Sequence, residues 1–263
     1  MWPSPKKRQP PLFPSGWRAI IESLCPFYRQ LPPADRAELE ARTQVFLADK
    51  RFEGCGGMTI NDSVRVCIAA QACLLLLHRR TECFPSLRSI LVYPNTYIVP
   101  AMRHIGSGIM EEFHQTRSGE SWQAGAVVLA WDVILNQAQD RGQGHNLVLH
   151  EFAHQLDYED GYADGVPLLA GERSFMERKR RYAAWTGVMR AEFARLQAQV
   201  RRGEPTVLRD YGATNPAEFF AVATECFFGK PQAMRREHPG LYEQLKWYYQ
   251  QDPSLWAVPS ALT

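Results

Sequence analysis

The sequence predicts a mainly helical α+β fold with a small sheet. Three observations predict it. Apolar residues recur at helical spacing in several segments, as with Trp17, Ile20, Ile21 and Leu24. Strand composition, dense in β-branched and aromatic residues, is confined to short stretches such as Ser89 to Pro100 and Ala126 to Trp131. Shortly after the second stretch comes His150-Glu151-Phe152-Ala153-His154, an HExxH sequence whose neighbours Leu149, Phe152, Ala153 and Leu156 again follow helical spacing.

Taken in order, residues 1–16 are rich in proline and basic residues and predict a flexible N-terminal tail. A helix starts at Gly16 and is broken by Pro26. Pro32 and Pro33 open a second helix, with Leu39, Val45, Phe46 and Leu47 carrying it to about Asp49. Phe52 to Gly57 is a short strand or loop ending in a glycine turn, and Thr59 to Asp62 leads into a strongly apolar helix reaching about Leu77. Ser89 to Pro100 is expected to form one or two strands, residues 101–124 show no strong period, and Ala126 to Trp131 is a further strand. Gln137 to Gly144 is a polar loop, and Asp157 to Gly165 an acidic one that lacks the spacing and closing glutamate of a calcium-binding hand. Arg181 to Arg202 predicts a long amphipathic helix with Trp185, Val188, Met189, Phe193 and Leu196 on its apolar side. Asn215 is a candidate N-cap with Pro216 at the first helical position, opening a helix through Phe228. Pro231 to Gln251 is a final aromatic-rich helix. The organisation expected is one domain over 17–253, with a C-terminal tail over 254–263.

Composition narrows the function classes. A net charge of +2 over 263 residues gives no electrostatic argument for direct nucleic-acid binding or a membrane surface. The apolar run from Val66 to Leu77 is interrupted by Gln71 and is too short to span a bilayer. The basic N-terminus lacks the apolar segment of a secretory signal, so a soluble cytoplasmic protein is expected. Six cysteines without a CxxC pair speak against a cysteine zinc site and predict mostly buried free thiols.

The HExxH segment carries chemistry because side chains four apart lie on one helix face, one turn above the other. His150 and His154 can therefore offer two imidazole nitrogens to one metal ion, with Glu151 offset to hold a water as general base. Two histidines leave zinc one protein ligand short. Glu218, an acid in the first turn of an apolar helix, is the favoured third ligand, and Glu225, two turns later, is the rival or else a residue that orients a histidine. Tyr211 lies just before that helix and is a candidate donor to an oxyanion. A purely structural zinc would need a fourth protein ligand, and His145 is off the ligand face. The strand before the motif helix is placed to border a cleft, where its free edge can pair with an extended peptide.

Leu91-Val-Tyr-Pro94, Ser118-Gly-Glu-Ser-Trp122, Val127-Val-Leu-Ala-Trp131, His150 to Asp157, Gly165-Val-Pro167, Asn215 to Val222, Phe227-Phe228 and Tyr249 to Pro253 form a series of blocks over roughly residues 20 to 253. Together these blocks resemble the Mlc titration factor A family, bacterial cytoplasmic zinc metallopeptidases similar to the anthrax lethal factor catalytic domain. The resemblance implies a zincin-like fold with the small sheet beside the HExxH helix, and one Zn2+ per chain on His150, His154 and Glu218. It also implies Glu151 as base, Tyr211 near the metal, aminopeptidase-like activity on peptide or protein substrates, and binding of the Mlc glucose repressor. A regulatory protein that sequesters a repressor with little or no catalysis is the alternative. The proline-rich N-terminus and the loops over 101–117 and 158–180 depart from the family pattern.

Overall fold

The structure is a computed structural model and describes residues 12–79, 81–104, 110–117, 119–122, 125–139, 144–169 and 174–256. The expected tails fall largely outside these residues. Helix α1 (Ser15–Leu24) gives way to a 3-10 turn that opens at Pro26, and α2 (Pro33–Asp49) carries Pro33 in its first turn, where the missing N–H is no loss. Strand β1 (Arg51–Gly54) follows. Asn61 caps α3 (Asp62–Leu74) by accepting the Val64 N–H at 3.1 Å.

The Ser89 to Pro100 stretch forms β2 (Ser89–Tyr93) and the start of β3 (Tyr97–His104). Strand β4 (Met110–Arg117) pairs antiparallel with β3 in a separate two-stranded sheet, from Tyr97 opposite Arg117 to His104 opposite Met110. Strands β5 (Gly119–Trp122) and β6 (Ala126–Ala130) complete the main sheet, whose order is β1-β2-β6-β5. The first three of these strands run parallel, and β5 is antiparallel to β6 with Gly119 opposite Leu129. Parallel strands buried on both faces need continuous apolar sequence, which the buried Val127, Val128, Leu129 and Ala130 supply.

Helix α4 (Trp131–Gln139) begins directly after β6, and the motif helix α5 (Leu147–Asp157) then packs along the sheet. Almost every residue of α5 is buried. Phe152 meets Phe84 edge-on at 4.9 Å between ring centroids and Phe46 at 5.8 Å, so the helix is locked into the aromatic centre of the core. Helix α6 (Phe175–Arg202) starts earlier than its apolar period indicates, because Ser174 and Glu177 form a reciprocal capping box. Helix α7 (Pro216–Gly229) lies against α5, and Phe220 joins Trp185 of α6 at 6.0 Å. The expected last helix is two, α8 (Pro231–Glu237) and α9 (Pro239–Tyr249), since Pro239 cannot continue α8 but starts α9 well. The chain beyond Pro253 makes a further 3-10 turn to Leu255, and Trp256 lies 6.0 Å from Phe228 between ring centroids. The six cysteines are free, and among the described residues no helix is long and apolar enough to cross a membrane.

Candidate metal centre

Two capped helices meet at the site. The side chain of Asn146 accepts the Leu149 N–H at 2.9 Å and opens α5 one turn before His150. On the facing helix, Asn215 accepts the Glu218 N–H at 3.0 Å, which fixes the first turn of α7 and the backbone of Glu218. The caps thus set where both sets of polar side chains begin.

The outcome is a tight triangle of donor atoms. His150 Nε2 lies 3.0 Å from Glu218 Oε2 and 3.3 Å from His154 Nε2, and His154 Nε2 lies 3.5 Å from Glu218 Oε2. Donors held at about 2.0–2.1 Å from a tetrahedral ion stand about 3.3–3.4 Å apart, so this triangle has the dimensions of one face of such a site. Two imidazoles and one carboxylate are also a suitable donor set for a divalent transition metal. Among the described residues, His150, His154 and Glu218 form the one group of three or more such side chains close enough to hold an ion. They fit the metal that the motif implies.

Electrostatics favours a cation at the same point. Burial opposes a charge on His150, but hydrogen bonds to Glu218 and Glu225 outweigh it and raise the imidazole to about 10. Burial likewise opposes ionisation of Glu218, while the two histidines hold it well below the usual carboxylate range. The carboxylates gather positive charge around His150 Nε2, which is where a metal ion would replace protons.

Glu225 is not part of the triangle. Its Oε1 accepts from His150 Nδ1 at 2.7 Å, on the opposite side of the ring from Nε2, and it is 1% exposed. The sequence left Glu225 open between ligand and orienting residue, and the geometry gives the second arrangement. His145, just outside the helix, pairs its Nδ1 with Gln137 at 3.1 Å, and burial lowers its basicity.

Glu151 is buried on α5, one residue from the first histidine. Strand β5 begins against it: a Cβ added to Gly119 would lie 2.4 Å from Glu151 Oε1. Only glycine lets this strand come so close to the carboxylate. Tyr211, in the 3-10 turn Asp210–Ala213, sets its ring 5.9 Å from that of His150. Tyr211 is half exposed, and the buried half of the ring, then the charge of Glu218, pushes the phenol up to about 12, so it keeps its proton at neutral pH and remains a donor. At the far end of α5, Asp157 is buried and accepts the Gly165 N–H at 2.9 Å.

A family model described as "Glucose-regulated metallo-peptidase M90" matches residues 2–250. The chain belongs to this family. Among its relatives, the uncharacterized protein slr2042 of Synechocystis sp. is 42% identical over 253 residues, covering 96% of this chain and 89% of that protein. Mlc titration factor A of Klebsiella pneumoniae is 33% identical over 231 residues, covering 87% of this chain and 83% of its own length. The Cronobacter sakazakii protein of the same name is 30% identical over 257 residues, with 97% and 92% covered. The M90 match therefore runs through the sheet and both helices that build the triangle.

Two contributors to this M90 site escaped the sequence reading. Arg209 reaches Glu225 from 16 residues away, a contact with no local signal. Gly119 was visible only within the block Ser118 to Trp122, where nothing in the spacing ties a glycine to Glu151.

Proposed function

We propose that this chain is a zinc peptidase of aminopeptidase-like preference. The observation that carries the proposal is the triangle of His150, His154 and Glu218 donors, with the buried Glu151 next to His150 on α5 and the Tyr211 ring 5.9 Å from that of His150. A zinc ion bound there would lower the pKa of a bound water and polarise a substrate carbonyl. Glu151, buried and wedged between α5 and β5, takes the proton from that water and delivers it to the leaving amine. Tyr211 donates its phenolic hydrogen to the developing oxyanion. The strand before the motif helix, β6, has no free edge for a peptide, contrary to the sequence expectation, because β2 and β5 pair with it on both sides. Among the described residues β5 is the edge of the main sheet next to Glu151, and its outer backbone groups pair with an extended peptide and hold the scissile bond beside Glu151.

The names of the enterobacterial relatives motivate a second role: a surface that binds a repressor of the Mlc type, either alongside hydrolysis or in place of it. Catalysis is favoured by the glutamate that follows His150, since a protein that only sequesters a repressor has no use for a base there.

Hydrolysis of matched unblocked and N-blocked peptides by the zinc-loaded protein tests the proposal. Cleavage of unblocked peptides, lost by at least about 10²-fold in Glu151→Gln, is expected. Equal rates for Glu151→Gln and the parent would refute it.

A further inference from the structure

Glu225 sits at a junction of three structural pieces. Its Oε2 accepts the backbone N–H of Asn146, the cap of α5, at 2.7 Å. Its Oε1 accepts from Nδ1 of His150 at 2.7 Å and also from Nη2 of Arg209. One carboxylate on α7 thus joins the start of the motif helix, the first histidine and the segment leading to Tyr211. The carboxylate is 1% exposed, whereas the Arg209 side chain is 32% exposed. Once His150 gives its Nε2 lone pair to a metal its ring is neutral, and a buried carboxylate facing only that imidazole and an amide would be poorly compensated; Arg209 supplies the cation that completes the set.

Arg209 is tied to Tyr211 as well. Its backbone oxygen accepts the Gly212 N–H at 3.0 Å, closing the turn around Tyr211, and its guanidinium carbon lies 6.0 Å from the Tyr211 ring centre. Gly212 pins the other side of that turn: a Cβ there would lie 3.2 Å from Leu196 and Val222 side-chain atoms. The turn is therefore held by packing at Gly212 and by an ion pair at Arg209, with Tyr211 between them.

We propose that Arg209 is a positioning residue that, through Glu225, orients His150 for metal binding and at the same time fixes the turn presenting Tyr211. This rests on the reading of the triangle as a zinc site. The Glu225 bond to Nδ1 directs the His150 Nε2 lone pair toward the other two donors. Arg209 keeps the Glu225 carboxylate facing that ring. Nη2 is the nitrogen that reaches Glu225, so the contact is a single charged hydrogen bond, which a lysine ammonium can also make.

Zinc affinity measured by chelator competition tests this without recourse to turnover. Arg209→Met keeps an unbranched apolar stem at a partly exposed position and removes the guanidinium with its charge. Its zinc Kd is expected to rise about 10–100-fold, the range for losing a partner of a metal-bound histidine. Arg209→Lys is expected to recover most of that loss. At saturating zinc, Arg209→Met should lower kcat by about 10-fold or more while KM stays within about twofold, because the displaced Tyr211 acts on the transition state. A zinc Kd for Arg209→Met within twofold of the parent overturns the proposal, as does a loss in Arg209→Lys as large as in Arg209→Met. Should Arg209→Met fail to fold, Arg209→Gln against Arg209→Lys carries the same comparison. A parent chain that takes up no zinc overturns the zinc reading itself, which separates that failure from this one.

Discussion

Adding one methyl group at Gly119 tests how closely the sheet and the motif helix must meet. In Gly119→Ala the new Cβ would lie 2.4 Å from Glu151 Oε1, 2.6 Å from Leu147 Cδ1 and 2.8 Å from Glu151 Cδ. Ordinary contact begins at 3.4 Å, so the first overlap alone is 1.0 Å. Leu147 is buried at the foot of α5 and cannot retreat, which leaves Glu151 or β5 to move by about 1 Å. Overpacking of this kind costs about 1–3 kcal/mol, or roughly 2–4 °C in Tm for each kcal/mol in a chain of this size. A misplacement of about 1 Å costs about 10²-fold in rate. The histidines and Glu218 lie outside these three contacts, so zinc binding should persist. The assay is peptide hydrolysis beside zinc content and a thermal melt. One zinc per chain, a modest fall in Tm and a kcat/KM down by about 10²-fold are expected. Turnover within twofold of the parent, with zinc retained, would refute the placement of Glu151 as the base at this contact.

Further outcomes follow from the same geometry. His154→Ala and Glu218→Ala should each lose stoichiometric zinc by elemental analysis, and zinc kept by both would remove the triangle as its holder. Tyr211→Phe should keep zinc and fold while kcat drops by about 10²–10³-fold, the scale for one oxyanion donor, and a rate within about twofold would make Tyr211 a packing residue. Burial raises Asp157 to about 7, so above the usual Asp value the unfolded chain sheds a proton that the folded chain keeps. Stability should therefore fall as pH rises toward about 7, by at most about 1.4 kcal/mol per pH unit, and level off above it. Asp157→Asn, followed by denaturant unfolding from pH 4 to 8, should flatten this slope, and an unchanged slope would assign it to other groups.

The parts of the site written in local spacing were legible in the sequence. The i, i+4 histidines, the Asn215 cap with Pro216, and Glu218 in the first turn each depend on one helix alone. The choice between Glu218 and Glu225 was harder, because seven residues return a helix to nearly the same face. They differ by about 10.5 Å along the axis, and only the packing of α7 on α5 turns that offset into Nε2 for one and Nδ1 for the other. Strand β4 and the later half of β3 were missed, and in β4 Glu111, Glu112, His114 and Gln115 interrupt the apolar signal of a strand. The early start of α6 was readable in the Ser174 to Glu177 pattern, but its first turns carry Arg178, Lys179 and Arg180 and show no apolar stripe. Arg209 and Gly119 owe their positions to contacts across the fold, which no local period encodes.

In the proposed function, three side chains hold one zinc and Glu151 uses it to cleave peptides. Titrating zinc into chelator-stripped protein, while following hydrolysis of an unblocked peptide, tests this most directly. Activity should rise in proportion to added zinc and plateau at one equivalent per chain. Glu151→Gln should bind the same single equivalent and stay at least about 10²-fold less active throughout. Uptake of one zinc by the parent with no hydrolysis at any point of the titration would contradict the claim and leave a metal-binding regulatory protein in its place.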